Sequence, residues 1–397
     1  MNNMLKILHV VPDEQFIDDA IRIFNLVNVV NEYVSYDSNG QYVLIKKYAS
    51  NVIYVKKEHL LEKISNGNFD IVAFHTIPRD LYEIVVSIPS IIKVLWFSWG
   101  FDVYQPQGRM PALIPVQLYK PITSRLMFSS RHISTFRSLK HKIKKILFFN
   151  QNRKYKKNEK IRLREEISLQ NIFLRRIDYI STVLPTEYLI LSEIPDFNAS
   201  FFPFQYTSDE YFDYTSKYSN NANKILIGNS ATPTNNHLDI LYLLRTRNIH
   251  NNCILPCSYG DDEYAKLINE HTKKNNNVTI INEFMPRSEY VHLLQSCKVG
   301  IFGHMRQQAI GNILICMLQG SKVFLYRDSI AYKHFKSEGY VVFSIEDDLT
   351  IECINKELDE REISLNKKLI TRQFGISNVV RRLEEVIDEI SNIKRYS

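Results

Sequence analysis

"NKILIGNSATPTNNHLDILYLLRTR", residues 223–247, decides the fold. Ile225, Leu226 and Ile227 form a short apolar run that stops at Gly228. A polar turn follows, and then "NNHLDILYLLRTR" spaces its apolar residues as a helix does. A brief, wholly apolar strand ending in glycine and feeding a helix is one half of a parallel, doubly wound sheet. Downstream the unit repeats: strand "NNCILPCSYG", helix "DEYAKLINEHTKK", strand "NVTIINEF", helix "RSEYVHLLQSC", then strands "KVGIFGHM" and "KVFLY". Upstream the same grammar reads "LKILHVV", the helical "FIDDAIRIFNLVNVV", the strand-like "QYVLIKK" and "NVIYVK", the helical "HLLEKISNG", then "FDIVAFH", "IKVLWFSWG" and "IDYISTVL". Strand and helix alternate in both halves, so two α/β sheets in tandem are expected, each with a ligand crevice outside the carboxyl ends of its strands.

A length of 397 residues suits two domains of about 150 to 200 residues each. The expected boundaries are an N-terminal domain over 1–205 with a basic insertion near 118–176, a second domain over 222–370, and a terminal helix over 371–397 that could pack back on the first. With 45% hydrophobic and 23% charged residues the chain has enough apolar material for two cores, which excludes a disordered class. The opening "MNNMLKILHVVPDEQF" is too short for a secretory signal, and no window approaches the roughly 18 apolar residues of a membrane span, so a cytoplasmic location is expected. Five cysteines without a CxxC pair read as buried thiols rather than as a metal or disulfide framework.

Charge is unevenly spread. Residues 118–176 hold 17 Lys and Arg against 3 acidic residues, a net +14 in a chain of net +7. Within that segment "FRSLKHKIKKILFF" sets an apolar stripe among Lys140, Lys142, Lys144 and Lys145, the pattern of a basic amphipathic helix on an anionic membrane surface. The plain alternative is a solvated helix packed on its own domain. A nucleic-acid role lacks a recognisable binding fold, and no nucleic-acid partner is expected.

Candidate chemistry gathers at strand ends. Gly228, Asn229 and Ser230, followed by Asn235 and His237 at the next helix start, could bring backbone close to a phosphate; the plain reading is a turn and a helix cap. Tyr259 ends the neighbouring strand. In "GHMRQQAIGN" a permanent cation, Arg306, stands beside Gln307 and Gln308, with Gly311 and Asn312 opening a helix, an arrangement suited to a diphosphate and to sugar hydroxyls. In "LWFSWGFDVY" the residues Trp99, Asp102 and Tyr104 join an aromatic wall to a carboxylate, which suits an acceptor saccharide and a general base. His75, ending "VAFH", is the alternative base. The plain readings are a core tryptophan, a turn-capping aspartate and a structural histidine. GxGxxG after the first strand, GxxxxGK[ST] and GxSxG are all missing, which disfavours dinucleotide, P-loop and serine-hydrolase chemistry. No Asp-x-Asp occurs, so no metal and no cofactor are expected, and cation and amide groups would stabilise a leaving diphosphate.

The blocks "WGFDVY", "ILIGNSATPTNNH" and "RQQAIGNILICMLQG" resemble the TDP-N-acetylfucosamine:lipid II N-acetylfucosaminyltransferase family, glycosyltransferase family 56. The matching positions are Trp99, Gly100, Asp102 and Tyr104; Gly228, Asn229, Ser230, Asn235 and His237; and Arg306, Gln307, Gln308, Ile310 and Gly311. The resemblance implies a GT-B enzyme, two Rossmann-like domains facing across a cleft, that takes an acetamido-deoxyhexose from a nucleoside-diphosphate sugar. It places the acceptor, a polyprenyl-diphosphate-linked saccharide, on the first domain and the donor on the second. Where the broader GT-B group often sets two glutamates for sugar and ribose, this chain has Gln307 and Ile315. A non-catalytic, membrane-associated nucleotide-sugar-binding module is the alternative function.

Overall fold

The computed structural model describes residues 4–133, 149–206 and 223–396. Lys140, Lys142, Lys144 and Lys145, and most of the expected domain junction, lie outside the described residues. Two compact units emerge, one of Met1–Pro115, Lys157–Asp209 and Arg372–Ser397, the other of Val116–Lys156 and Glu210–Thr371.

The first unit carries a seven-stranded, all-parallel sheet in the order β3-β2-β1-β4-β5-β6-β7. Its strands are β1 Lys6–Val10, β2 Val30–Ser35, β3 Val52–Tyr54, β4 Ile71–His75, β5 Lys93–Ser98, β6 Tyr179–Thr182 and β7 Ser200–Phe201. The order reverses between β1 and β4, which pair through His9↔Ala73 and Val10↔Phe74. One face is covered by the helix Phe16–Phe24 and by the terminal helix Ile376–Tyr396, whose Val379, Leu383, Ile387 and Ile390 pack with Ile7, Phe24, Phe97 and Phe204. Each such aliphatic side chain contributes about 1.5 to 3 kcal/mol by leaving water.

One expected strand is absent. "QYVLIKK" bends and pairs with no strand, because two carboxylates hold its backbone: Asp13 accepts from the amides of Val43, Leu44 and Ile45, and Asp18 from those of Lys46, Lys47 and Tyr48. The strand beside β1 is instead Val30–Ser35, whose first half, with Asn31 and Glu32, lies at least partly exposed.

The second unit has six parallel strands in the order β10-β9-β8-β11-β12-β13. They are β8 Lys224–Ile227, β9 Cys253–Pro256, β10 Val278–Ile281, β11 Cys297–Phe302, β12 Lys322–Leu325 and β13 Phe343–Ser344. Here the reversal lies between β8 and β11. Ile225, Ile227, Leu255, Val299, Ile301 and Phe324 form the middle of its core. The five cysteines are free thiols, four of them buried. Among the described residues no helix is long and apolar enough to cross a membrane, and no cluster of His, Cys, Asp or Glu could hold a metal ion.

Candidate active site

At the β8/β11 reversal two glycines let loops approach where a side chain would not fit. Gly228 has φ +67°, and a Cβ on it would stand 2.6 Å from His237 Nε2 and 2.8 Å from Asn235 Oδ1. A Cβ on Gly303 would stand 2.4 Å from the Asn235 carbonyl oxygen. Asn236 ties the loops together from a left-handed conformation (φ 53°) ahead of the helix His237–Thr246. Its Nδ2 donates to the carbonyls of Gly303 (2.8 Å), Thr234 (3.1 Å) and Leu118 (3.1 Å), and its Oδ1 accepts from the Lys120 amide at 2.8 Å. Asp239, one turn later, caps the helix Pro121–Ile133 by accepting from the amides of Ile122 and Thr123 and from the Thr123 hydroxyl.

Across these loops runs a chain of neutral hydrogen bonds. Thr234 Oγ1 donates to Gln308 Oε1 (2.6 Å), Gln308 Nε2 to Asn229 Oδ1 (3.1 Å), and Asn229 Nδ2 to the Tyr259 hydroxyl (3.0 Å). Three strand-end loops, after β8, β9 and β11, are thereby joined. Asn235 is turned inward, donating to the Ser230 carbonyl at 3.0 Å, and the Ser230 hydroxyl meets that of Thr232 at 2.8 Å. Beside the chain, half-buried Arg306 precedes Ala309, whose φ of +57° starts the helix Ile310–Leu318. No side chain caps that helix, so its first-turn amides are open to an anion, and the helix dipole favours one. Asn312 is turned aside, its Nδ2 donating to Tyr290 at 2.8 Å. Buried His237 and His304 are held neutral, their pKa values lowered to about 3 by burial, aided at His304 by Arg306. Among the described residues neither ring has a well-aligned hydrogen-bond partner.

In the first unit Asp102 is 2% exposed and organises the loops after β4 and β5. Its oxygens accept from Trp96 Nε1 (2.9 Å), Thr76 Oγ1 (3.0 Å), Ser98 Oγ (3.2 Å) and the amides of Trp99 (3.1 Å) and Gly100 (3.0 Å). Burial raises its carboxyl pKa and these bonds offset part of the rise. The Trp96 ring and the two amides can only donate, which favours the ionised carboxylate. Thr76, a β-branched residue at φ +82°, is a strained conformation costing on the order of 1 to 3 kcal/mol, and the Asp102 bond helps to hold it. Both Asp102 oxygens accept from the protein in this structure, two of the donors being the Trp99 and Gly100 amides, which ties the carboxylate to the loop that carries Trp99. Tyr104 is also interior: 1% exposed, it donates to Glu187 at 2.7 Å. His75 is fully buried and bonded to His9 and Tyr206.

Sequence reading missed His9, Asn31, Thr76, Tyr206, Thr234, Asn236 and His304. The available signals were an imidazole inside the apolar run "KILHVV" and a second asparagine before a helix start in "NNH".

A family model described as 4-alpha-L-fucosyltransferase glycosyl transferase group 56 matches residues 151–382, more than half of the chain. Among solved structures the chain is similar to AviGT4, a glycosyltransferase involved in avilamycin A biosynthesis (TM-score 0.53, 10% identity, 98% of each chain covered). It is similar also to Anabaena HepE in complex with UDP-glucose (TM-score 0.57, 12% identity, 97% of this chain and 100% of that one). A third is the N-terminal domain of Candida albicans trehalose-6-phosphate phosphatase (TM-score 0.60, 10% identity, 99% and 97% covered). At such identities the likeness shows the fold, which is GT-B.

Proposed function

The chain belongs to glycosyl transferase group 56, and from that premise we propose which substrates this glycosyltransferase joins. The donor is a nucleoside-diphosphate acetamido-deoxyhexose, dTDP-4-acetamido-4,6-dideoxygalactose or a close analogue. The acceptor is a polyprenyl-diphosphate-linked saccharide of a bacterial surface glycan, met at the inner face of the membrane. One observation carries the donor half: at the β8/β11 reversal a half-buried arginine, an uncapped helix start and a glycine-cleared loop lie together.

On this reading Arg306 and the first amides of Ile310–Leu318 hold the diphosphate and stabilise the charge that develops as it leaves, without a metal. Gln307, Gln308 and Asn229 meet hydroxyl or N-acyl groups of the donor, and Gly228, Ser230, Asn235, His237 and Tyr259 shape its loops. Gly311 keeps the first turn of the helix clear and Asn312 braces it through Tyr290. In the first unit Trp99 offers an indole face to the acceptor saccharide, and Asp102 fixes Trp99. The basic segment with Lys140, Lys142, Lys144 and Lys145 attracts anionic lipid, for which its local charge is the support.

The test is to incubate the chain with that dTDP-sugar and a farnesyl-diphosphate-linked disaccharide, and to measure free dTDP together with the glycosylated lipid. Both are expected in equal amounts and unchanged by EDTA. Release that requires added magnesium or manganese would overturn the metal-free reading, and no release from the dTDP-sugar beside turnover of another nucleotide sugar would overturn the donor. Co-sedimentation with phosphatidylglycerol vesicles, lost on changing the four lysines to Gln, tests the membrane part.

A further inference from the structure

The reversal point of the first sheet holds a chain of polar side chains whose hydrogens can be placed by elimination. Asn31 Nδ2 lies 3.0 Å from the Phe24 carbonyl oxygen. A carbonyl only accepts, so that atom is the amide nitrogen and Oδ1 is the one that faces His9 Nε2 at 3.1 Å. An amide oxygen also only accepts, so His9 carries its hydrogen on Nε2. Burial keeps the ring neutral, its pKa lowered to about 3, which leaves Nδ1 bare to accept from His75 Nε2 at 3.0 Å. His75 is likewise neutral, lowered by burial and by His9, so its Nδ1 is bare and accepts from the Tyr206 hydroxyl at 2.6 Å. One backbone carbonyl thus dictates the direction of four side chains.

The rings are also fixed in place. His9 stacks on Tyr33 (centroids 4.6 Å apart, 20° between planes) and meets Phe24 edge-on at 4.5 Å, while His75 stacks on Phe97 at 4.4 Å and 26°. His9 and His75 have no exposed surface. Tyr206 is half-buried, and its ring packs edge-on against Trp99 at 5.7 Å and Phe16 at 6.3 Å. It is the end of the chain that lies beside Trp99, just outside the β1/β4 reversal where open parallel sheets bind ligands.

We propose that the Tyr206 hydroxyl takes the hydrogen bond of the acceptor's attacking hydroxyl, and that Asn31, His9 and His75 are positioning residues that aim it. The proposal rests on the glycosyl-transfer reading above and assigns a new residue to it. With its single hydrogen committed to His75, Tyr206 has only lone pairs left to offer. It therefore selects a group that donates, a sugar hydroxyl, and refuses carboxylate or phosphate oxygens. The chain ends in an amide and a carbonyl, neither of which takes up a proton, so Tyr206 orients the hydroxyl and does not deprotonate it.

Two measurements on the full chain test this. In protein labelled with 15N at histidine, long-range proton–nitrogen correlation should show His9 and His75 as neutral Nε2–H tautomers that do not titrate between about pH 5.5 and about 8. His75 protonated on Nδ1 would reverse the chain and overturn the proposal. Tyr206→Phe keeps the ring contacts and should lower kcat toward the farnesyl-diphosphate-linked disaccharide about 10- to 100-fold with the donor KM unchanged, the cost of one unmade hydrogen bond in a desolvated site. Asn31→Leu frees the direction of the chain and should lower kcat similarly, whereas Asn31→Asp, assayed at a pH where its carboxyl is protonated and so donates to the Phe24 carbonyl and accepts from His9 as the amide does, should restore most of it. Wild-type kcat in Tyr206→Phe, or equal losses in Asn31→Leu and Asn31→Asp with native tautomers in both, would overturn the assignment. If the wild-type chain fails to turn over this substrate pair, the substrate reading falls by itself and the tautomers decide the direction of the chain on their own.

Discussion

The two sheets put different polar devices at the same topological place. At β8/β11 the chain Thr234–Gln308–Asn229–Tyr259 begins and ends on a hydroxyl, and a hydroxyl both donates and accepts. All three hydrogen bonds can therefore reverse together, and the loops can present either a donor or an acceptor to a ligand. At β1/β4 the chain Asn31–His9–His75–Tyr206 is tied to the Phe24 carbonyl and has one direction only. The first of these chains has a cation and an open helix start beside it, and the second has neither. On the proposed reading, a site for a diphosphate that comes and goes uses adaptable neutral bonds around a fixed charge. On the same reading, a site that must present one hydroxyl in one orientation uses locked neutral bonds without charge.

The largest expected effect breaks the charged half of that contrast. Arg306→Ala should lower kcat/KM by about 2 to 4 kcal/mol of transition-state stabilisation, roughly 30- to 1000-fold, as expected for a group that meets developing charge. The thermal midpoint should move little, since Arg306 is only half-buried. Wild-type kinetics would move the diphosphate elsewhere.

Asp102→Asn comes next and acts on stability. Each carboxylate oxygen receives at least one N–H that can only donate: Trp96 Nε1 at one, and the Trp99 and Gly100 amides at the other. Whichever way the new amide turns, its nitrogen faces a donor. A loss of about 2 to 4 kcal/mol in urea unfolding is expected, with turnover falling alongside because Trp99 and Thr76 lose their anchor. Full stability with lost turnover would return Asp102 to a direct catalytic role.

Acid separates the units less sharply. His9 in the first unit and His237 and His304 in the second stay neutral down to about pH 3, while in the unfolded chain they take a proton near the ordinary value of 6.5. Between those values the unfolded state binds more protons, so stability is greatest above about pH 6.5 and falls by about 1.4 kcal/mol per pH unit for each such histidine as the solution is acidified. Unfolding free energies at several pH values should show that slope, and His304→Gln should flatten it. An acid branch unchanged by that substitution would mean His304 is protonated in the folded chain.

Much of this was legible in the sequence where it depends on local pattern. The apolar runs of β1, β4, β5, β8, β9 and β11, and the glycines that follow β5, β8, β9 and β11, announce two parallel sheets, and "RQQAIGN" announces its helix start. β2 was hidden because "VNEYVS" carries polar residues where neighbouring strands do not, while the apolar-looking "QYVLIKK" has its amides claimed by Asp13 and Asp18. β7 and β13 are two residues long, too short for any period to register. Asp102 was recognisable as a polar group among aromatics, and four of its five donors lie in the adjacent run Trp96–Gly100, but the fifth, Thr76, comes from another strand end that only folding brings to it. The direction of the His9–His75 chain hangs on a carbonyl in a different element, which no spacing in the sequence encodes.

The smallest effect sharpens the comparison most. Tyr259 is 60% exposed, and its hydroxyl is the outer end of the reversible chain. Tyr259→Phe removes that end, leaves Asn229 to water, and should change folding stability by less than about 0.5 kcal/mol. The remaining chain can still adjust, so the donor should lose only about 0.5 to 1.5 kcal/mol of binding, roughly 2- to 12-fold in Kd by calorimetry with dTDP. Thr234→Val removes the inner end, 1% exposed, and leaves the buried Gln308 Oε1 without its donor at 2.6 Å, so its cost should be larger and shared between stability and binding. That asymmetry follows from reversibility: an outer hydroxyl is replaceable by solvent and an inner one is not. If Tyr259→Phe bound dTDP as wild type does, the loop chain would be scaffold only, and the contrast between the two reversal points would come down to Arg306 and the helix it precedes.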